Sequence, residues 1–453
     1  MSQQLLFSVA GARGIVGETI DVDVVTRLTL AYCSILPDGP VAVGRDTRPS
    51  GESFAYSVIG AVTAAGRDVI HLDIATTPTV ELITARSDAV AGIIVTASHN
   101  SIEWNALKFL DHRGIFITSD VSERLLAAFQ SGKFRFADGK STGKIRAYRT
   151  AAAEHIEAIL GLDLIDVHRI RTRRFTVVLD CINGAGSVIA PELLDRLGAR
   201  VIQLNCSADG NFYRDPEPRP ENLADLTDCV RKSSADLGFA TDPDADRLAL
   251  VSGGVDAEAI SEEYTLALAV DQVLATRKGG VVVNLSTSGW IDHVARLHGA
   301  RVARTPVGEA HVVDRMLRDG AVVGGEGNGG VIYPGLHAGR DAMLGMALIL
   351  QLLADRPATL AEIVRGYPPL LMSKAKVPLG GTFAPDRISR ALRPDNPVTL
   401  DTQDGVKATF ADGWIHLRVS NTEGIVRVIV EGPDAGRVEA LQKMARKALA
   451  ASW

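Results

Sequence analysis

The sequence predicts an α/β protein: three successive βαβαβ repeat domains with mostly parallel sheets around a central cleft, followed by a small C-terminal α+β domain. Three observations carry this. Short apolar runs rich in Val, Ile and Leu alternate with stretches of helical period, the pattern of parallel sheets covered by helices on both faces. The alternation recurs three times, and each copy ends in a polar loop. Beyond Val406 it gives way to short alternating strands and one long amphipathic helix.

In the first repeat the pattern predicts strands over residues 41–44, 69–74 and 91–96, with helices over 53–65 and 80–85 between them. The second places strands at 175–181, 201–205 and 237–241 and helices at 188–197 and 223–233. The third places strands at 281–285, 301–305 and 321–324, helices at 290–297 and 310–318, and a longer helix at 341–353. The last domain has strands at 406–410, 414–418 and 425–431, then a helix over 435–450. Pro368-Pro369 marks a linker, and Arg149-Thr150 and Ser252-Gly253-Gly254 mark weaker boundaries. The expected domains are therefore 1–149, 150–252, 253–367 and 368–453, each of a size that buries its own core.

Composition narrows the function classes. A net charge of −6 over 453 residues gives no basic surface for nucleic acid. Four scattered cysteines without a CxxC pair imply neither a zinc site nor a disulfide framework, so the cytoplasm is the expected compartment. Residues 1–11 lack the basic and apolar regions of an export signal, and Asp271 interrupts the apolar stretch 266–274, so no membrane span is expected.

The chemistry lies in the loops, because ligands of open α/β sheets bind beyond the carboxyl ends of the strands. Asp242-Pro243-Asp244-Ala245-Asp246-Arg247 sets three carboxylates at alternate positions. Such an oxygen set suits Mg²⁺ and leaves it coordination room for a phosphate oxygen, with Arg247 beside it as a phosphate partner; a solvated acidic turn is the alternative. Ser98, in Thr96-Ala97-Ser98-His99-Asn100, is a candidate nucleophile or phosphate carrier, or simply a cap. The acidic loop favours the carrier, since a phosphoserine supplies the ligand the metal lacks. His99 either donates to phosphate or braces the loop. Lys108 returns towards the cleft as a proton acceptor or phosphate partner, if it is not a surface lysine. Arg13, Arg45 and Arg48 stand in glycine-rich turns as candidate phosphate contacts.

Glu326 and Asn328, in Gly325-Glu326-Gly327-Asn328-Gly329-Gly330, offer acceptors and donors where glycines let the backbone approach a sugar. Arg418, Ser420, Asn421 and Thr422, with Arg427 on the next strand, suit a dianionic phosphate.

Four such loops in this order, in four successive domains, resemble the α-D-phosphohexomutase superfamily, and the resemblance extends from Gly11-Ala12-Arg13-Gly14 to Arg427. It implies that Ser98 carries the phosphoryl group and binds Mg²⁺ together with Asp242, Asp244 and Asp246. Glu326 and Asn328 would hold sugar hydroxyls, and Arg418, Ser420, Asn421, Thr422 and Arg427 the distal phosphate. The implied enzyme is an isomerase that moves phosphate between the 6- and 1-positions of a hexose or hexosamine phosphate through a bisphosphorylated intermediate, which also serves as primer. Lys108 would act as general base and Arg13 as its electrostatic partner, with His99 and Arg247 beside the phosphoryl group. The protein would work as a monomer or homodimer, without nucleic acid or membrane.

Departures bear on the substrate. Asn328 and Gly330 stand where many bacterial members have Ser and His, and Glu309 where some have His. In the first loop Ser101 replaces a usual Pro, and Trp104-Asn105-Ala106 a common aromatic-Asn-Gly. The Gly-Glu-Gly-Asn-Gly-Gly loop resembles branches acting on glucosamine phosphate, with mannose and glucose phosphates as the alternative. A metal-dependent sugar phosphatase and a non-catalytic sugar-phosphate sensor are the other classes compatible with these residues; the second phosphate grip argues against the phosphatase.

Overall fold

The three repeats fold with one shared strand order. In this computed structural model, which describes residues 5–8, 11–420 and 424–451, the first strand of each repeat lies between the second and the third, all parallel. Val41–Arg45 sits between Val69–Ile74 and Ala91–Val95, Thr176–Asp180 between Arg200–Leu204 and Leu237–Thr241, and Val281–Asn284 between Val302–Thr305 and Val323–Glu326. Ala91–Val95 and Leu237–Thr241 are buried at every residue, which is why they read as unbroken apolar runs. The expected helices form with small shifts. The helix expected from 80 starts at Thr77, because the Thr76 hydroxyl caps it and Pro78 fits its first turn. The one expected over 188–197 is a 3-10 turn, Ala185–Val188, followed by Ala190–Arg196.

Each parallel core is also extended by antiparallel strands that the repeat pattern does not contain. Trp104–Asp111 pairs with both Ala91–Val95 and Gly11–Ile15. Leu248–Ser252 pairs with Leu237–Thr241, and Gly330–Tyr333 with Val323–Glu326. The last parallel strand of each repeat therefore folds back on itself, and the polar loops 96–103, 242–247 and 327–329 are hairpin tips.

One apolar core runs through the second and third repeats, built around the helices Glu263–Thr276 and Ala342–Asp355. Asp271 does not interrupt the first of these; its carboxylate accepts from His298 at 2.7 Å, Arg356 at 2.8 Å and Tyr367 at 3.2 Å. The C-terminal domain is a five-stranded antiparallel sheet with its own core, and Asp434 caps the closing helix Ala435–Ala450. No helix among the described residues is long and apolar enough to cross a membrane.

Arg48 is a structural bracket rather than a phosphate contact. It is fully buried, with Nε 3.0 Å from Asp46 Oδ2. Its other nitrogens donate to the carbonyls of Ser98 at 2.5 Å, Asn100 at 2.6 Å, Ser101 at 2.6 Å and Trp104 at 3.1 Å. Arg45 likewise pairs with Asp73 at 3.1 Å. Burial of this kind leaves no trace in a Gly-Arg-Asp-Thr-Arg string. Arg48→Met leaves the buried Asp46 carboxylate without its counter-charge and four carbonyls without their donor, so it should destabilise the fold by about 3–5 kcal/mol. The midpoint of urea denaturation measures this, and an unchanged midpoint shows that the serine loop holds without its bracket.

Candidate active site

Ser98 sits at the tip of its hairpin in a left-handed conformation, φ 50°, which a non-glycine residue adopts only when its surroundings impose it. Arg48 grips its carbonyl, and its N–H donates to Thr96 Oγ1 at 2.9 Å. The hydroxyl donates to Asp242 Oδ2 at 2.9 Å, which joins the first and second loops.

The acidic loop is pinned by backbone hydrogen bonds from three repeats: Thr77 N–H to the Asp244 carbonyl at 2.9 Å, Ala185 N–H to Pro243 at 2.7 Å and Ala342 N–H to Ala245 at 3.2 Å. Gly184 permits the second contact, since a Cβ there would lie 2.5 Å from the Pro243 carbonyl oxygen. The three Asp residues are fully buried, with one oxygen from each within 4.8 Å of the others. Asp244 Oδ2 accepts from Thr77 Oγ1 at 2.6 Å and Lys108 Nζ at 2.7 Å, and Asp246 Oδ2 from Arg340 at 2.5 Å. Oδ1 of Asp244 and Oδ1 of Asp246 have no hydrogen-bond partner among the described residues.

Two carboxylates therefore each give one oxygen to the protein and leave the other buried and bare, and the third faces the serine. A hard divalent cation fits this donor set. The charges agree. Burial and the neighbouring Asp246 and Asp244 push the Asp242 carboxyl well above its usual range, whereas Lys108 and Thr77 overcome burial and hold Asp244 below it.

The other expected residues of the first two loops lie around this triad. Burial opposes the charge on Lys108, but Asp244 and Asp246 more than offset it and raise its pKa. It reaches the cleft as a paired ammonium, so a proton-acceptor role requires release of the pair. Burial and the positive charges of Arg247, Arg13 and Arg340 hold His99 neutral, with Nδ1 3.4 Å from Ser98 Oγ. Arg13 donates to Asn100 Oδ1 at 3.3 Å. Arg247 donates to Glu217 at 3.1 Å, and its Nε lies 3.7 Å from Asp246 and 3.9 Å from Asp242.

In the third loop Glu326 accepts from Asn284 Nδ2 at 2.8 Å, Gly308 N–H at 3.1 Å and Arg340 Nη1 at 2.8 Å. Arg340 and Asn284 outweigh burial and keep it ionised. Asn328 is half-buried, and its side-chain oxygen accepts from Gly330 N–H at 3.3 Å.

In the last domain Arg418 Nε donates to Asp404 Oδ2 at 2.9 Å, and the same oxygen accepts from Val307 N–H at 3.0 Å. Arg418 lies directly opposite Arg427 on the paired strands, with the buried Ser420 at the end of that hairpin. Asn421 and Thr422 lie outside the described residues. Arg340 and Asn284, which bond the carboxylates of the site, are the side chains that motif reasoning missed. Arg340 follows an unremarkable His-Ala-Gly just before the helix expected from 341, and nothing in that string marks it.

Sequence comparison matches residues 4–136, 153–254, 261–370 and 374–448 in turn to phosphoglucomutase/phosphomannomutase alpha/beta/alpha domains I, II and III and to the C-terminal domain. A "Probable phosphoglucosamine mutase" of Methanopyrus kandleri is 34% identical over 96% of both chains. A "Phosphoglucomutase/phosphomannomutase" of Thermococcus kodakarensis is 36% identical over 94% of both. The fold superposes on a phosphoglucomutase/phosphomannomutase family protein of Burkholderia thailandensis with a TM-score of 0.86, at 26% identity over 99% of this chain and 98% of that one. With all four domains matched in order, the chain belongs to the phosphoglucomutase/phosphomannomutase family and is an isomerase of the phosphohexomutase class.

Proposed function

We propose that this phosphohexomutase interconverts glucosamine-6-phosphate and glucosamine-1-phosphate through a phosphoserine at Ser98. The observation that carries the mechanism is the Ser98 hydroxyl at 2.9 Å from Asp242, in a triad that keeps one buried, unpartnered oxygen on each of Asp244 and Asp246. Mg²⁺ suits that triad, and when bound it neutralises charge on the transferring phosphoryl group.

The P–O bond at Ser98 breaks as a sugar hydroxyl oxygen forms its own bond to phosphorus; the departing Ser98 oxygen takes a proton, and the sugar hydroxyl gives one up. Lys108 is the candidate for both transfers: once freed from Asp244 its ammonium protonates the serine oxygen, and the resulting amine takes the sugar's proton. Arg247 and Arg13 supply positive charge beside the group, and His99 braces the loop. The bisphosphorylated sugar then turns, and its other phosphate returns to Ser98. A hexose bisphosphate serves as primer for any unphosphorylated enzyme.

Glu326 and Asn328 read the sugar. Arg418 and Arg427, with Ser420, Asn421 and Thr422, hold the distal phosphate. Like charges directly across a strand pair are unfavourable, and a dianion between them relieves that. An ionised Glu326 supports an amino sugar, as does the name of the Methanopyrus relative. Glucose and mannose phosphates are the alternative, favoured by the name of the Thermococcus relative. A coupled assay of the three sugar phosphates with bisphosphate primer decides between them; a kcat/KM highest for glucose or mannose phosphate overturns the amino-sugar assignment.

Ser98→Ala should abolish transfer while the protein melts as the wild type does, since a hydroxyl at a hairpin tip is removed and no core group is lost. Mass spectrometry should find phosphate on Ser98 of the purified enzyme. Near-native turnover of the variant, or phosphate on another residue only, ends the phosphoserine proposal.

Asp244→Asn should weaken Mg²⁺ binding by about tenfold or more, measured by calorimetry, and lower turnover in parallel. Chelation with EDTA should have the same effect on turnover. A rate indifferent to EDTA makes the triad a structural turn.

Sugar and phosphate recognition should separate by mutation. Arg418→Ala should cost every hexose phosphate a similar factor, about 2–4 kcal/mol in transition-state terms, because all carry the same dianion. Glu326→Gln should instead reorder the sugars. Steady-state kinetics on the three substrates check both, and the reverse pattern means the two loops are wrongly assigned.

A further inference from the structure

Arg340 connects three loops through one guanidinium. It ends the strand His337–Arg340 and is 8% exposed. Its backbone N–H and its Nε donate to the two oxygens of Glu309 at 2.9 and 3.0 Å, which fixes the guanidinium plane. Nη1 then reaches Glu326 at 2.8 Å in the sugar loop, and Nη2 reaches Asp246 at 2.5 Å in the acidic loop. Three carboxylates thus meet three different nitrogens of one rigid fork, a geometry a lysine ammonium cannot reproduce.

The stem explains the loop beneath it. A Cβ on Gly330 would lie 2.2 Å from Arg340 Cδ and 2.9 Å from its Cγ, so position 330 is bare because Arg340 occupies the space a side chain would need. Glu309 is the carboxylate that aims the same residue. The unusual residues at 309 and 330 are therefore parts of one arrangement, centred on Arg340.

We propose that Arg340 is the positioning residue that sets sugar discrimination: it holds Glu326 in a fixed orientation towards the sugar and ties that orientation to the acidic loop. The proposal rests on Glu326 being the sugar-reading carboxylate of the reaction proposed above. Arg340 acts through Glu326.

Two substitutions perturb it differently. Arg340→Lys keeps the charge and loses the fork. Gly330→Ala keeps the arginine and displaces its stem. Calorimetry would give the affinities of wild type and variants for glucosamine-6-phosphate, glucose-6-phosphate and mannose-6-phosphate, which differ only at C2, and kinetics would give kcat and KM for each. The wild type should separate the best and worst sugar by tenfold or more. In both variants that ratio should fall to within about threefold, with KM for the preferred sugar rising more than kcat falls.

Thermal melting reports any purely structural loss. Variants that melt earlier but keep the wild-type ratio overturn the proposal, as does a wild type that binds all three sugars equally. If Arg340→Lys does not fold, Gly330→Ala and Glu309→Gln, which loosens the guanidinium plane, decide the matter. If no hexose phosphate turns over, the proposed reaction fails, while the affinity ratios still test Arg340.

Discussion

Carboxylates buried as closely as Asp242, Asp244 and Asp246 cannot remain ionised unless positive charge is brought to them, and the site is built to bring it. Lys108 comes from the first repeat, Arg247 from the second and Arg340 from the third, and the neutral Thr77 hydroxyl joins Lys108 on the same oxygen of Asp244. The compensation is incomplete by design, since two oxygens stay bare. Removing any one partner would leave a buried charge exposed to a low dielectric, so placement of the repeats and electrostatics of the site are one problem. A second polar knot does similar work: His155 and His337 share Asp341 Oδ2 at 2.9 and 3.2 Å, and His155 meets Thr79 at 2.9 Å, again joining three repeats. Among the described residues the first repeat joins the apolar clusters of the others through Leu82 and Ile115, and these polar contacts add to that attachment.

The loops share a device that follows from topology. Each lies where the last parallel strand turns back as an antiparallel one, and each tip contains a left-handed residue: Ser98 at φ 50°, Ala245 at φ 54° and Gly329 at φ 88°. A left-handed non-glycine residue costs about 1–2 kcal/mol, so Ser98 and Ala245 are held against their preference. Arg48 supplies the restraint for Ser98, and the N–H groups of Ala185 and Ala342 do so for the acidic tip. A hairpin tip gripped in this way aims a side chain more sharply than an open loop does.

This topology also explains what was legible in the sequence. The central parallel strands were visible because burial on both faces makes them continuous apolar runs, and the polar tips because they interrupt those runs. The returning strands were not. Trp104–Asp111 carries Lys108 and Asn105 at buried positions, which blurs its pattern, and Gly330–Tyr333 is four residues long after a glycine loop. Arg48 and Arg340 were misjudged or missed for one physical reason. Each is defined by partners distant in sequence, and a buried bracket or bridge looks no different in a string of letters from a solvated arginine.

The fourth loop joins the others through a short stretch of backbone. Asp404 takes Arg418 Nε and the N–H of Val307, and the next residue, Gly308, gives its N–H to Glu326. The proposed phosphate grip, through Asp404, and the proposed sugar reader are thus tied to adjacent residues of one backbone segment, and Glu326 leads on through Arg340 to Asp246 and the triad. In the proposed reaction the bisphosphorylated sugar must turn and be held equally well with either phosphate towards Ser98. A pocket shaped closely around one orientation would resist that. A few strong, charge-assisted contacts on a rigid chain of ion pairs allow it, because both orientations present a phosphate to the arginines and polar groups to Glu326. Discrimination then has to come from how firmly Glu326 is held, and that depends on the ion pairs behind it.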